Sequence, residues 1–255
     1  MDADAWPDQA RFHRAEAKVS AALPQTVAAP RLLGYFDNGH WVILVFEYID
    51  GAEPDLRRRP AEAFRAAAAL GELARQLTPA PFAAPGDHPR LGGRADLARD
   101  GDRRARLPAL FPWAARHLRR LVALEAEGLA AARGDSLVHF DANPHNILLA
   151  RDRVLFADWP HARLGAPFLD LVIFASAAAA ARIDPEQIVA QEVAKETVTA
   201  GLEPHVIDAV LAAHAGLCAA GALERVPPAL QPIVTAKTDL AAAALVWLSR
   251  RLRNR

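Results

Sequence analysis

The stretch LVHFDANPHNILLARDRVLFADW, residues 137–159, holds the densest set of polar, ligand-capable side chains in the chain. Within it, the apolar runs ILLA (147–150) and VLFA (154–157) flank the turn-forming sequence RDR, which predicts a two-stranded hairpin. Asn146 directly precedes the first run and Asp158 directly follows the second. We therefore expect Asn146 and Asp158 at the same end of the hairpin, with Asp141 in the loop beside them.

This convergence would bring two carboxylates and one amide oxygen together at one sheet end. Hard oxygen ligands of this kind suit Mg²⁺, which binds one or two carboxylates and completes its shell with phosphate and water. The residues alone thus predict a magnesium–phosphate site formed by Asp141, Asn146 and Asp158.

The pattern H-x-D-x₄-N, followed after the next strand by Asp-Trp, resembles the aminoglycoside phosphotransferase family, which has a protein-kinase-like fold. The resemblance extends upstream through RAEAKVSAALP (14–24) and PRLLGYFDNGHWVILVFEYIDG (30–51), and covers residues 11 to about 175. It implies an ATP- and Mg²⁺-dependent transfer of the γ-phosphate to a hydroxyl group of a small molecule.

The resemblance assigns a role to each motif residue. Asp141 would be the catalytic residue that accepts or orients the acceptor hydroxyl, and Asn146 and Asp158 would hold Mg²⁺ on the nucleotide's phosphates. His139 would support the loop structurally, and Asp170 would brace the same loop from the following helix.

Four residues nearer the N-terminus would contribute to nucleotide binding. Glu47, Tyr48 and Ile49 would form the hinge whose main-chain groups hydrogen-bond adenine. Glu16 lies on a helical stripe with Phe12 and would be the glutamate that pairs with a phosphate-contacting lysine; the alternative is an ordinary helix glutamate at the stripe's edge.

The predicted fold class is α+β and protein-kinase-like. Residues 1–50 would be a remnant small lobe with a helix, a short antiparallel sheet and the hinge, and residues 51–255 a mainly helical large lobe. Helical patterns cover 7–23, 61–77, 113–133, 168–182, 185–200, 204–223 and 228–252, and strand patterns 31–36 and 40–49 are joined by an Asp-Asn-Gly turn. Residues 78–112, rich in proline and glycine, predict a long irregular segment.

The small lobe departs from the family pattern. No glycine precedes Gly34, and the only lysine before residue 195 is Lys18, which is two positions from Glu16 and so lies on a different face of the helix. We expect either that the natural start lies upstream or that the chain is a shortened, catalytically silent binding module. In both cases the two remaining strands would have an unpaired edge and a half-covered apolar face.

A metal-dependent hydrolase is a further alternative. His139, Asp141, His145, Asp158 and His161 include the residue types of a two-histidine, carboxylate metal site. That interpretation leaves Asn146 and the hinge-like strand unexplained.

Composition narrows the function classes. The 255 residues carry 30 basic and 30 acidic side chains, so no net charge favours nucleic acid or an anionic membrane as a partner. A single cysteine, Cys218, rules out an internal disulfide, and the acidic start MDADAWPDQ is unlike a signal peptide. We expect a cytoplasmic protein.

The acceptor would lie between the catalytic loop and the helices after Pro167. Residues 161–255 hold nine acidic and nine basic side chains, which gives no surplus of carboxylates for a polycationic antibiotic. The sequence therefore favours another small alcohol over an aminoglycoside.

Overall fold

The structure is a computed structural model, and it describes residues 1–83, 91–195 and 202–254. Its N-terminal part contains helix α1 (Pro7–Ala22) and the antiparallel strands β1 (Leu32–Asp37) and β2 (Val42–Phe46). Gly39, in the turn between the strands, has a φ of 90°, a conformation that glycine adopts without steric cost. The hairpin and first helix thus form as the sequence predicts.

Helix α1 covers one face of this hairpin. Val42 is 1% exposed and packs with Ala3 and Ala10 in a small apolar cluster. Phe36 and Ile43, which are directly opposite each other and share the other face, are 52% and 46% exposed. The expected half-covered face is therefore present.

The outer edge of β2 is paired at its first residue only, and the expected unpaired edge remains from Ile43 to Phe46 among the described residues. Val42 N donates to Met1 O at 3.0 Å, the Met1 amino group donates to Val42 O at 2.8 Å, and Ala3 N donates to His40 O at 2.7 Å. Residues 1–3 lie beside the start of β2, and a turn closed by a hydrogen bond from Trp6 N to Asp2 O at 3.0 Å then leads into α1. This backbone pairing could not be read from the polar sequence of the segment.

Two small sheets link the hairpin region to the helical part. Strands β3 (Gly51–Ala52), β5 (Ile147–Ala150) and β6 (Val154–Phe156) form an antiparallel sheet in the order β3-β5-β6. Strands β4 (Ser136–Val138) and β7 (Arg163–Gly165) pair separately. Residues 137–159 thus lie where both sheets meet the helices.

Helices make up the rest of the described chain, and apolar side chains at helical spacing bury them against one another. They are α2 (Ala61–Gln76), α3 (Arg94–Arg99), α4 (Gly101–Leu110), α5 (Pro112–Arg116), α6 (Leu118–Ala131), α7 (Leu169–Ala180), α8 (Pro185–Val193), α9 (Pro204–Ala222) and α10 (Gln231–Arg253).

Helix α9 runs through the core between α6 and α10. A side chain on Gly128 of α6 would overlap the carbonyl group of Ala209, so the two helices approach as closely as their backbones allow. By length and composition alone α9 could cross a membrane, with a mean hydropathy of 1.4, but 78% of that window is buried inside the protein. Core packing therefore explains its apolar character.

Two predictions about the helical part differ from the structure. The sequence predicts an irregular segment over 78–112, but its described part contains α3 and α4; residues 84–90 lie outside the described residues. The single helix expected over 113–133 is divided at His117 into α5 and α6. The helix predicted over 185–200 is observed as α8, with 196–200 outside the described residues.

Candidate phosphotransfer site

The hairpin of β5 and β6 brings the ends of the polar motif together. Ile147 pairs with Phe156, and the main-chain N–H of Ala157 donates to the carbonyl oxygen of Asn146 at 2.9 Å. Asn146 therefore enters the hairpin at the end from which Asp158 leaves it. This is the arrangement that the spacing of the apolar runs predicts.

The Asp141 side chain is directed by two amides. Asn146 Nδ2 donates to Asp141 Oδ2 at 2.9 Å and to the Asp141 carbonyl oxygen at 2.9 Å, and Asn143 Nδ2 donates to Asp141 Oδ1. Because Asn146 uses its nitrogen in both bonds, its Oδ1 remains an acceptor. Asp141 and Asn146 are thus joined into one polar unit.

His139 and Asp170 fix the backbone that carries Asp141. The buried carboxylate of Asp170 accepts from the main-chain N–H groups of His139 and Phe140, each at 2.7 Å. His139, 0% exposed, has Nε2 at 2.9 Å from the Ala157 carbonyl oxygen, so the proton lies on Nε2. Its Nδ1 then accepts from Asp141 N at 3.3 Å. Burial raises the pKa of Asp170, and these charge-assisted bonds oppose that shift.

Asp158 leaves the hairpin at the protein surface in an uncommon backbone conformation. It is exposed, and its φ of 66° is uncommon for a residue with a side chain. Trp159, 2% exposed, anchors the segment by donating from Nε1 to Phe156 O at 2.7 Å and by packing its ring edge-on to His139 at 4.6 Å. The side chain of Asp158 has no hydrogen bond or ion pair within the part of the chain that the structure describes.

The donor set fits a magnesium ion. Asp158 offers a carboxylate that accepts no hydrogen bond from the described residues, and Asn146 offers an amide oxygen at the same end of the hairpin. Phosphate and water oxygens would complete the six-coordinate shell that Mg²⁺ requires.

Glu16 of helix α1 lies beside Asp158 and Trp159. Glu16 is 8% exposed, whereas Lys18 faces solvent, as predicted from their spacing. Burial raises the pKa of Glu16 to about 7; the negative charge of Asp158 contributes, and a hydrogen bond from the main chain of Trp159 opposes the shift. Glu16 therefore lies beside the Asp-Trp segment as a carboxyl group that is easily protonated.

Replacing Glu16 with glutamine should stabilise the fold at pH 8 by about 3 kcal/mol, because one pKa unit corresponds to 1.36 kcal/mol. A carboxyl with a raised folded pKa binds its proton more tightly when folded. The loss of folding stability caused by ionising Glu16 is therefore absent below pH 4.5, the ordinary pKa of the group. It grows as the pH rises and is complete above about pH 7. Urea unfolding at several pH values measures this.

The exposed Glu127 on α6 provides the control, since a surface substitution such as Glu127→Gln should leave stability at pH 8 nearly unchanged. Equal stability of Glu16→Gln and the unmodified protein at pH 8 would contradict the assignment of a buried, desolvated Glu16.

Two histidines also lie near the motif. The half-buried ring of His161 packs against Phe12 of α1 at 5.1 Å, and burial lowers its pKa while the charges of Asp141 and Asp158 oppose the shift. Burial also lowers the pKa of His214 on α9 to about 4, again opposed by the charge of Asp141. Both rings are thus neutral at pH 7. Sequence spacing could not reveal His214, because it is more than 70 residues from Asp141 along the chain.

The hinge candidates follow β2 without regular structure. Glu47 N donates to Arg31 O at 2.9 Å, and the Glu47 carboxylate accepts from Arg31 N at 3.0 Å, so Glu47 is engaged by the neighbouring strand. Tyr48 is 88% exposed. Within the described residues, the main-chain N–H groups of Tyr48 and Ile49 have no main-chain acceptor.

The geometry gives the hydrolase alternative no support. Both ring nitrogens of His139 are used within the fold, by Ala157 and by Asp141. Across 1–83, 91–195 and 202–254, no group of three or more His, Cys, Asp or Glu side chains is arranged to hold a metal ion. The predicted magnesium site differs from such a group, because its protein ligands are one asparagine and one aspartate and phosphate oxygens complete it.

Comparison with known structures identifies the fold. A choline/ethanolamine kinase family protein from Mesorhizobium loti matches 97% of this chain and 82% of its own, with a TM-score of 0.58 and 18% identity. A spectinomycin phosphotransferase in complex with ADP and spectinomycin matches 94% of this chain over 82% of its own length, with a TM-score of 0.60 and 12% identity. An aminoglycoside phosphotransferase in complex with AMP-PNP and hygromycin B matches 95% of this chain over 82% of its own length, with a TM-score of 0.57 and 15% identity.

At these identities the structural matches establish a fold of the α+β, protein-kinase-like type, as the sequence predicted. No curated protein sequence matches the chain. The sequence model of the phosphotransferase enzyme family matches residues 2–205, which is most of the chain and includes the whole polar motif. This protein therefore belongs to the phosphotransferase enzyme family.

Proposed function

We propose that this protein transfers the γ-phosphate of ATP, in the presence of Mg²⁺, to a hydroxyl group of a small molecule. The observation that carries the proposal is the convergence of Asp141, Asn146 and Asp158 at one end of the β5–β6 hairpin. Family membership supports phosphotransfer in general, and the ADP and AMP-PNP complexes of two structural neighbours support nucleotide binding.

Positioning and electrostatics account for the reaction. Bound Mg²⁺ would neutralise charge on the phosphates, and Asp158 and Asn146 are the residues that would hold it. Asp141 would accept a hydrogen bond from the acceptor hydroxyl and align its oxygen for attack. A carboxylate is a weak base at pH 7, so orientation is the larger part of this role.

The main-chain N–H groups of Tyr48 and Ile49 would bind adenine, next to the engaged Glu47. Glu16 would act indirectly, because its carboxyl group accepts a hydrogen bond from the main chain of Trp159, next to Asp158.

The acceptor class is part of the proposal. His161 and His214, two of the titratable groups near Asp141, are neutral at pH 7. Residues 161–255 hold nine acidic and nine basic side chains, which gives no surplus of carboxylates for a polycation. We therefore propose a neutral small alcohol as the acceptor.

Phosphorus NMR tests the reaction directly. The protein is incubated with MgATP and, separately, with polyols, amino alcohols and aminoglycosides, and new phosphate ester signals are sought. An ester formed with a polyol supports the proposal. Nucleotide binding without an ester or ADP would indicate a silent binding module, and metal-dependent hydrolysis of an ester without ATP would indicate a hydrolase.

A further inference from the structure

The Asp141 carboxylate has two amide donors, and the proposed function explains one of them. Asn146 donates to Oδ2 while offering its own oxygen to the metal. Asn143 donates to Oδ1 and lies outside the metal-binding pattern. The second donor therefore requires its own explanation.

Asn143 is held rigidly in place. Its main-chain N–H donates to the Asp141 carbonyl oxygen at 2.8 Å, and its carbonyl oxygen accepts from Asn146 N at 2.9 Å. Its φ of −87° and ψ of 156° are the extended values favoured before a proline, here Pro144. The side chain thus leaves a backbone that is fixed on both sides.

The orientation of the amide follows from its partner. A carboxylate oxygen can only accept, so Asn143 must turn Nδ2 towards Asp141 and Oδ1 away from it. That Oδ1 is buried and has no hydrogen-bond donor among the described residues, in a side chain that is 9% exposed. Burying an unpaired amide oxygen is unfavourable, and an apolar residue of similar size would avoid it. The contact with Asp141 is what distinguishes asparagine from such a residue.

We infer that Asn143 is a positioning residue for phosphotransfer, which holds the Asp141 carboxylate in a single orientation by occupying Oδ1 while Asn146 occupies Oδ2. The expected change in kcat rests on the proposed function, whereas the expected single conformer of Asp141 does not. With both oxygens bonded, rotation about the Cβ–Cγ bond requires both hydrogen bonds to break. Each oxygen still has acceptor capacity for a hydroxyl.

The test compares Asn143→Leu with Asn143→Ser. Leucine has the same branched shape as asparagine, cannot donate, and removes the unpaired oxygen; serine retains a hydroxyl donor on a shorter side chain. With MgATP and water as the acceptor, Asn143→Leu should lower kcat by about 10- to 100-fold, since small misplacements of reacting groups have effects of this size. The KM for MgATP should change less than about twofold, because Asn143 does not hold the metal.

A purely structural role predicts a different pattern. In that case kcat would fall only in proportion to the folded fraction, and the melting temperature of Asn143→Leu would fall with it. We expect the melting temperature of Asn143→Leu to be unchanged or higher, and Asn143→Ser to recover much of the lost kcat. Full activity of Asn143→Leu, or a loss that matches its unfolded fraction, would overturn the inference.

Crystal structures of the unmodified protein and of Asn143→Leu separate this inference from the proposed function. Asp141 should have one side-chain conformer in the former and several in the latter. The same single conformer in both would overturn the inference even if the enzyme is active. An unmodified protein that binds MgATP without turnover would count against the proposed function, and the Asp141 conformers would still decide the role of Asn143.

Discussion

Replacing Asp141 with asparagine is expected to lower the turnover of MgATP by about 10²- to 10⁴-fold, the range for loss of a positioned acid–base group. Asparagine has the same shape but has lost one acceptor oxygen and the negative charge. It would meet the Nδ2 groups of Asn143 and Asn146 with at most one acceptor. ADP release, followed with a coupled assay, measures the effect.

A matched control lies in the same hairpin. Asp152 is exposed in the turn between β5 and β6, so Asp152→Asn should retain full turnover. MgATP affinity should be nearly unchanged in Asp141→Asn, because the proposed metal ligands remain. Turnover of Asp141→Asn within about threefold of the unmodified protein would contradict a role for Asp141 in transfer, since the smallest expected loss is far larger.

The second large effect concerns stability. Replacing Asp170 with alanine should lower the free energy of unfolding by about 3–5 kcal/mol, because each buried donor left unpaired costs about 1–3 kcal/mol. The two donors are the main-chain N–H groups of His139 and Phe140, both at 2.7 Å from the carboxylate. The loop would then lose the anchor that holds Phe140 at a φ of 67°.

Urea unfolding at pH 7 measures this loss. Asp170→Asn, which keeps one acceptor oxygen, should lose less stability than Asp170→Ala, and Asp152→Ala on the surface should lose almost none. A destabilisation of Asp170→Ala below about 1 kcal/mol would show that water or another group replaces the carboxylate.

Much of the fold could be predicted because local patterns dominate it. The hairpin near the N-terminus, α1, α2, α7 and α9 follow apolar periodicity and turn residues. The break at His117 depends instead on its side chain, whose ring stacks on Trp113 at 4.7 Å and whose Nδ1 lies 2.8 Å from the Trp113 carbonyl oxygen. No periodic pattern shows such a contact.

The helices within 78–112 were missed for a related reason. Helix α3 begins after Gly93, where the buried carboxylate of Glu125 on α6 accepts from the main-chain N–H groups of Gly93 and Arg94. A distant residue therefore supplies the N-terminal cap that local sequence lacks. Helix α4 does have a local N-cap residue, since Asp100 accepts from Arg103 N at 3.0 Å. The many prolines nearby favour an irregular segment and hide this helix start in the sequence.

The part of the candidate site that could be predicted is the part whose residues are placed by their distance in sequence from a strand. Asn146 and Asp158 lie at fixed distances from two strands, so their convergence follows from the hairpin. The raised pKa of Glu16 and the burial of His214 depend on which helix packs over the loop. The bond from Asn143 depends on a backbone turn that no apolar pattern encodes.

Calorimetric titration of the unmodified protein with ATP, with and without Mg²⁺, tests the central claim most directly. We predict binding that requires Mg²⁺, that is lost in Asp158→Ala, and that is retained in Asp152→Ala. Absence of binding by the folded protein, or binding that Asp158→Ala leaves intact, would contradict a metal–nucleotide site at the end of the β5–β6 hairpin.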